Sequence, residues 1–136
     1  FRDEFLDLIR SRTCDYVCAN VEELKSLYQT DDLGEAVKAI ARDADIAAIT
    51  MGADGAMAIK DGEIVSVPVY PVERVVDATG AGDLFASGFL LGVARGQDME
   101  NALKLGCLCA SEVISHVGAR PVADLKRLAR DHDLTI

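Results

Sequence analysis

Residues 77–83 read Asp-Ala-Thr-Gly-Ala-Gly-Asp and lead directly into Leu-Phe-Ala-Ser-Gly-Phe-Leu at 84–90. The β-branched pair Val75 and Val76 precedes this stretch, so a strand, a glycine turn and a mainly apolar helix follow one another. Ligands of open α/β sheets bind at the carboxyl ends of strands, where such turns lie. The stretch therefore predicts an α/β fold with a binding site at this turn.

The glycine turn predicts a site for an anion. Glycines let backbone amides crowd a small volume, and the first turn of a helix adds unpaired N–H groups and the positive end of the helix dipole. We expect the amides of Gly80, Ala81 and Gly82 to hold a group that carries developing negative charge. A carboxylate beside that group has a task if it accepts the proton of a hydroxyl that attacks phosphorus. Asp83 is therefore the candidate general base.

Other interpretations of the turn are weaker or stay open. Gly80 and Gly82 could simply form a tight turn, with Asp83 as a helix cap. A P-loop requires Lys at position 83. A dinucleotide fingerprint requires a third glycine where this chain has Phe85.

Four segments resemble motifs of the PfkB or ribokinase-like family of carbohydrate and nucleoside kinases. The core of the family's second signature is similar to residues 79–83, and the similarity extends to position 89. Asn20-Val21-Glu22-Glu23 is similar to the Asn-x-x-Glu motif, and residues 50–55 are similar to the nucleotide-contacting Thr-x-Gly-x-x-Gly turn. Residues 118–121 match the segment that closes the nucleotide pocket. The motifs occur in the family's order and cover nearly the whole chain.

The resemblance implies an enzyme that uses ATP and Mg²⁺ to phosphorylate a hydroxyl of a sugar or nucleoside. It makes Asp83 the base and the amides of residues 80–82 the anion hole. Asn20 and Glu23 would help to hold Mg²⁺ through water, and backbone groups near Asp77 would bind K⁺ in members that use it. The residues implied in ATP binding are Thr50, Gly52, Gly55 and Thr79, with an apolar slot for adenine expected around Leu103 and Cys107.

Each of the upstream motifs also has a purely structural interpretation. Asn20 and Glu23 have the spacing of a pair that caps the helix beginning near Val21. Residues 50–55 have the composition of an ordinary turn into the next strand. These alternatives stay open from the sequence.

Members of the family are well over twice as long as this chain. The sequence contains neither the family's glycine-rich first signature nor its β-sheet lid. We therefore expect residues 1–136 to be the C-terminal ATP-binding and catalytic part of a ribokinase-like domain, without the N-terminal substrate-binding part. Alone it is expected to be inactive, because closure over the substrate excludes water from such sites. A homodimer of the full-length protein stays open.

Composition excludes several other classes of protein. Half of the 136 residues are apolar, which suits one domain with a core. The net charge of −9 argues against nucleic acid as a partner, so an anionic nucleotide would rely on local amides and magnesium. The longest apolar stretch, 84–94, is too short to span a membrane, and we expect a cytoplasmic protein. The cysteines lack the spacing of a zinc site and are predicted to be reduced thiols; they are Cys14, Cys18, Cys107 and Cys109.

Periodicity predicts alternating strands and helices. Strands are expected at 15–19, 46–51, 56–60, 63–67 and 74–76, and helices at 3–10, 21–28, 32–43, 81–94, 99–116 and 122–131. This pattern predicts a three-layer ribokinase-like fold, with a mostly parallel sheet between helices and one antiparallel hairpin that turns at Asp61-Gly62. Close packing of the two longest helices is predicted from their small residues, Gly88, Gly92, Gly106 and Ala110.

The sequence is compatible with three functions. The first is a kinase of the adenosine-kinase-like or a related sugar-kinase branch, which residues 106–110, 112–115 and 118–121 resemble. The second is a non-catalytic nucleotide-binding or regulatory relative. The presence of Asp83 argues against it, because a binder gains nothing from a carboxylate beside phosphate. The third, a redox or metal protein, is disfavoured by the cysteine spacing.

Overall fold

The computed structural model describes residues 2–11, 15–70, 80–114, 124–132 and 134. The strands are β1 (Tyr16–Asn20), β2 (Ile46–Thr50), β3 (Ala56–Lys60) and β4 (Glu63–Val67). The α-helices are α1 (Arg2–Arg10), α2 (Val21–Leu27), α3 (Leu33–Asp43), α4 (Ala81–Ala94), α5 (Met99–Ile114) and α6 (Leu125–Asp131), and a short 3₁₀ helix covers Gly52–Asp54. The predicted elements within these residues are confirmed to within a few residues at their ends. The predicted strand 74–76 lies outside the described residues.

The four strands form one mixed sheet in the order β1-β2-β3-β4. β1 and β2 run parallel, from Tyr16 opposite Ile46 to Asn20 opposite Thr50. The link 51–55 is too short for a parallel crossover, so β2 and β3 are antiparallel. β3 and β4 form the predicted hairpin, in which Asp61 and Gly62 both have positive φ angles, 53° and 79°. These angles suit a two-residue hairpin turn, and Asp-Gly is among the residue pairs that adopt them readily.

The described chain forms two compact units. The first contains Phe1–Gly52 and Met57–Val65, and helices α1, α2 and α3 belong to it together with β1 and β2. Apolar positions at helical and strand spacing supply its core, as the sequence pattern predicts. The buried residues of this core are Ile9, Val17, Leu24, Ala36, Val37, Ile40, Ala44, Ala47, Ile49 and Ile59. The assignment of residues 1–136 to one domain stays a prediction.

A buried carboxylate joins the ends of the three helices of the first unit. Asp43, which is 6% exposed, accepts hydrogen bonds from the Tyr28 hydroxyl at 2.9 Å and from Arg10 Nε at 3.1 Å. Arg42 Nε donates a third at 3.2 Å. Burial acts to raise the pKa of Asp43, but these hydrogen bonds and the charge of Arg10 outweigh it, so the pKa is lowered. The ionised side chain is therefore part of the fold.

The second unit contains Ala53–Ala56 and Ser66–Ile136, and it is built around α4 and α5. These helices touch through backbone, as predicted. A Cβ added at Gly88 would lie 2.7 Å from the carbonyl oxygen of Leu105, and one at Gly106 would lie 2.8 Å from that of Phe85. Gly92 has an equally close helix neighbour. Larger side chains would force the two helices apart.

A smaller apolar cluster packs α6 against α5. Its buried members are Leu105, Leu108, Ala129 and Leu134. In the part of the chain that the structure describes, none of the helices combines the length and apolar character needed to span a bilayer. Cys18, Cys107 and Cys109 are free thiols, and burial raises the pKa of Cys107 to about 11. Cys14 lies outside the described residues.

Candidate active site

The first turn of α4 has open hydrogen-bond donors. Gly80 is the N-cap residue, with φ 80° and ψ 0°, and none of the described side chains caps this helix. The N–H of Leu84 donates to the carbonyl oxygen of Gly80 at 3.0 Å, which is the first bond of the helical ladder. The amides of Ala81, Gly82 and Asp83 therefore have no acceptor within the helix. The left-handed backbone at position 80 explains why a glycine stands there.

Gly82 has no comparable structural explanation. It is exposed, its φ is not in the left-handed region, and beyond its own helical turn a Cβ built on it meets no atom of the described residues within 4 Å. A glycine inside a helix costs about 0.5–1 kcal/mol relative to alanine. Neither backbone conformation nor packing accounts for this cost, so the open space at Gly82 suits the close approach of a ligand.

Asp83 lies in the same first turn. Because Gly80 is the N-cap, the interpretation of Asp83 as the helix cap is wrong. Its side chain is exposed, and among the described residues its carboxylate makes no hydrogen bond or ion pair. The carboxylate is therefore available to a substrate beside the open amides.

Asn20 and Thr50 lie opposite each other at the carboxyl ends of the parallel strands β1 and β2. Asn20 and Glu23 form a capping box: Oδ1 of Asn20 accepts from the Glu23 amide at 2.8 Å, and Oε1 of Glu23 accepts from the Asn20 amide at 2.9 Å. The structural interpretation of this pair is thus confirmed. The box leaves Oε2 of the exposed Glu23 for other partners, which fits a Mg²⁺ ion held by few carboxylates, water and phosphate.

The two glycines of the Thr-x-Gly-x-x-Gly turn have different environments. Gly52 is exposed, with φ 57°, and an added Cβ would have no neighbour within 4 Å in the part of the chain that the structure describes. Gly55 is buried with φ 97°, and an added Cβ would lie 2.0 Å from the carbonyl oxygen of Val67. A positive φ accounts for the glycine at position 52, where the described neighbours also leave space for a ligand, and packing as well as a positive φ accounts for Gly55. Thr50 is half-buried at the end of β2.

The predicted adenine slot gains no support from the structure. Leu103 is completely buried and Cys107 is 6% exposed, so both side chains face the protein interior. Thr79, Asp77 and the segment 118–121 lie outside the described residues. The predicted residues thus form two groups, one at the start of α4 and one at the ends of β1 and β2.

The sequence motifs do not indicate one polar contact at the start of α4. The Ser87 hydroxyl donates to the carbonyl oxygen of Asp83 at 2.9 Å. A serine four residues after the candidate base could have indicated this bond, because serine often bonds back to the preceding helical turn.

Comparison with known proteins agrees with the motifs. Residues 1–125 match the family described as pfkB family carbohydrate kinase. A probable sugar kinase from Rhizobium etli is 50% identical, with a TM-score of 0.97 over 99% of this chain and 41% of its own. Adenosine kinase from Sinorhizobium meliloti is 44% identical, with a TM-score of 0.94 over 97% of this chain and 40% of its own. Arabidopsis thaliana ribokinase, solved with ribose and ATP, is 25% identical, with a TM-score of 0.79 over 92% of this chain and 42% of its own.

These similarities confirm the ribokinase-like fold. The chain spans about two-fifths of the length of these three proteins and 32 to 40% of the first curated relatives that it matches. Because the family match covers most of the residues, the chain belongs to the pfkB family of carbohydrate kinases.

Proposed function

We propose that this sequence forms the ATP-binding and catalytic part of a kinase that phosphorylates a hydroxyl of a sugar or nucleoside. Family membership supports a kinase, and the similarity to an adenosine kinase and to a ribokinase solved with ATP supports the nucleotide. The observation that carries the proposal is the open first turn of α4. It combines three amides without helical acceptors, a Gly82 whose added Cβ would meet no neighbour among the described residues, and an exposed Asp83 carboxylate.

The amides of Gly80, Ala81 and Gly82 would hold the phosphoryl group during transfer, and two of them, those of Ala81 and Gly82, are among the first-turn amides without a helical acceptor. Phosphoryl transfer depends mainly on positioning and electrostatic stabilisation, because negative charge spreads over the equatorial oxygens of the migrating group. Fixed N–H donors aimed at that charge are effective, since they need no reorganisation at the moment of reaction. ATP would supply the phosphoryl group and Mg²⁺ would neutralise phosphate charge; Asn20 and Glu23 are proposed to help hold that ion through water.

Asp83 would accept the proton of the attacking hydroxyl. A carboxylate at a helix start is favoured as the anion and is therefore a weak base. This property is compatible with the role, because the transition state in most analyses is largely dissociative and needs little proton removal until late. The same carboxylate would also orient the hydroxyl in line with phosphorus.

The proposed acceptor is a sugar hydroxyl in either branch of the family. The chain is similar to both a probable sugar kinase and an adenosine kinase, and a nucleoside also carries its acceptor hydroxyl on a sugar. We propose an adenosine-kinase-like or closely related sugar kinase. An ATP-consumption screen of the full-length protein against adenosine, ribose and fructose would identify the acceptor.

Asp83→Asn in the full-length protein tests the base. We expect kcat to fall by about 10²- to 10⁴-fold, while ATP affinity is kept or improved because a negative charge is removed from the site. Asp32→Asn is the matched control, because Asp32 caps α3 and an amide there still caps. Unchanged turnover in Asp83→Asn would show that Asp83 is not the base, and no ATP turnover by the unmodified full-length protein with any acceptor would favour a non-catalytic nucleotide-binding or regulatory relative.

Residues 1–136 alone are proposed to be inactive. The chain covers about two-fifths of its solved relatives, and exclusion of water from a kinase site requires closure over both substrates. The measurement is ATP turnover by this segment compared with that of the full-length protein. Turnover at the full-length rate would contradict the proposal.

A further inference from the structure

Ser87 lies one helical turn after Asp83, on an exposed position of α4. Its hydroxyl donates to the carbonyl oxygen of Asp83 at 2.9 Å. We propose that Ser87 is a positioning residue that strengthens the amide of Ala81 as an anion donor, through a chain of hydrogen-bonded peptide groups. This inference rests on the proposed function of the α4 start.

The chain has two hydrogen bonds and two peptide groups. The first bond runs from the Ser87 hydroxyl to the carbonyl of the peptide that joins Asp83 to Leu84. The N–H of this same peptide donates to the carbonyl oxygen of Gly80 at 3.0 Å. That carbonyl belongs to the peptide whose N–H is the amide of Ala81. The hydroxyl is thus connected to an anion-hole donor without contacting the substrate itself.

Hydrogen bonds in such a chain polarise one another. A carbonyl that accepts a bond from Ser87 makes the N–H of its own peptide a stronger donor, and the effect passes through Gly80 to Ala81. Condensed-phase estimates of this cooperativity are about 10–30% per bond. The last bond, from the Ala81 amide to a phosphoryl oxygen, is charge-assisted and is stronger than a neutral one. Its energy should respond most when charge develops on that oxygen in the transition state.

A purely structural role for Ser87 makes different predictions. Serine is a weaker helix former than alanine, and its bond back to the preceding turn slightly destabilises a helix. Replacing it with alanine should therefore leave stability equal or higher. If the hydroxyl has no further role, the kinetics should not change.

The experiment measures kcat, KM and thermal unfolding of the full-length protein with Ser87→Ala. We expect kcat to fall about twofold to fivefold, with KM for ATP unchanged and the unfolding temperature equal or higher. Ser87→Thr keeps the hydroxyl and should retain most of kcat. Ser111→Ala is the matched control, because Ser111 donates to the Leu108 carbonyl at 2.8 Å in α5, where no proposed donor is connected.

Three results would overturn the inference: an unchanged kcat in Ser87→Ala, an equal loss in Ser87→Thr, or a loss confined to KM. The inference and the function on which it rests can fail separately. Normal turnover in Asp83→Asn would remove the proposed base and leave the role of Ser87 to be decided by kcat of Ser87→Ala. A strong loss in Asp83→Asn with normal kinetics in Ser87→Ala would remove only the role of Ser87.

Discussion

The first turns of α2 and α4 differ in whether side chains accept hydrogen bonds from their backbone N–H groups. At α2, Asn20 and Glu23 close the first turn with two reciprocal hydrogen bonds. At α4, Gly80 supplies no side chain and the first amides have no helical acceptor. Three further helix starts are closed by aspartate side chains, Asp32 at α3, Asp98 at α5 and Asp124 at α6.

The difference separates helix starts that hold the fold together from one suited to binding. A side-chain cap stabilises a helix by about 0.5–2 kcal/mol relative to alanine. The start of α4 lacks this stabilisation and also has a glycine at position 82 where packing requires none. A ligand that accepts hydrogen bonds from the N–H groups without a helical acceptor would take the place of the missing cap.

Gly82→Val is the most sensitive test of the uncapped first turn of α4. The added side chain enters the space where the phosphoryl group is proposed to lie, and a displacement of about 1 Å can lower a rate by about 10²-fold. We expect kcat/KM of the full-length protein to fall by about that factor. The fold should persist, because no described atom lies within 4 Å of the new Cβ.

Asp32→Ala is the control at α3, a helix whose start is capped by a side chain. It removes the cap of α3 and should lower the free energy of unfolding by about 1 kcal/mol while leaving the kinetics intact. Normal kinetics in Gly82→Val would show that the space at position 82 is unrelated to catalysis. The missing cap of α4 would then have no link to binding.

Asp43 tests how much its hydrogen bonds stabilise the helices of the first unit. It accepts one of these bonds from Tyr28 at the end of α2. Its pKa is lowered in the folded state, so its contribution to stability is present above the unfolded pKa of about 3.9 and is lost as the pH falls through the folded value. We expect Asp43→Asn to lower the free energy of unfolding by about 1–3 kcal/mol at pH 7. In denaturant titrations, the difference in free energy of unfolding between the unmodified protein and Asp43→Asn should become smaller below about pH 4. A stability difference that does not change with pH would contradict a role for the ionised form of Asp43.

Glu23→Gln separates capping from magnesium binding. Glutamine also completes a capping box, so the stability of the full-length protein should be unchanged. Loss of the charge should raise the Mg²⁺ concentration for half-maximal activity by about tenfold, the size typical of supporting groups around a metal. Glu23→Ala should lose both properties. If Glu23→Gln has the Mg²⁺ dependence of the unmodified protein, Glu23 is a helix cap only.

Local sequence patterns predicted most of the fold. Apolar periodicity and turn residues placed the hairpin at Asp61-Gly62, the start of α4 and the glycine contacts between α4 and α5. These features depend on neighbours in sequence or on the absence of a side chain, so they can be read without coordinates.

Other features depend on distant contacts. The asparagine and glutamate of the Asn-x-x-Glu motif have the spacing of both a capping box and a metal site, and only the hydrogen bonds identify the cap. Gly55 resembles a ligand-binding glycine until its contact with Val67 is seen. The complete burial of Leu103 follows from the packing of its helix within the second unit, which periodicity cannot specify.

The contact between Gly106 and the carbonyl of Phe85 has a mechanical consequence. Two backbones in direct touch leave no compressible layer between them, so α4 cannot slide or tilt without carrying α5 along. The first turn of α4, which is proposed to hold the transferred group, is thus held in place by a residue far downstream in sequence. If this turn is the site of transfer, the missing side chain of Gly106 helps to fix its position.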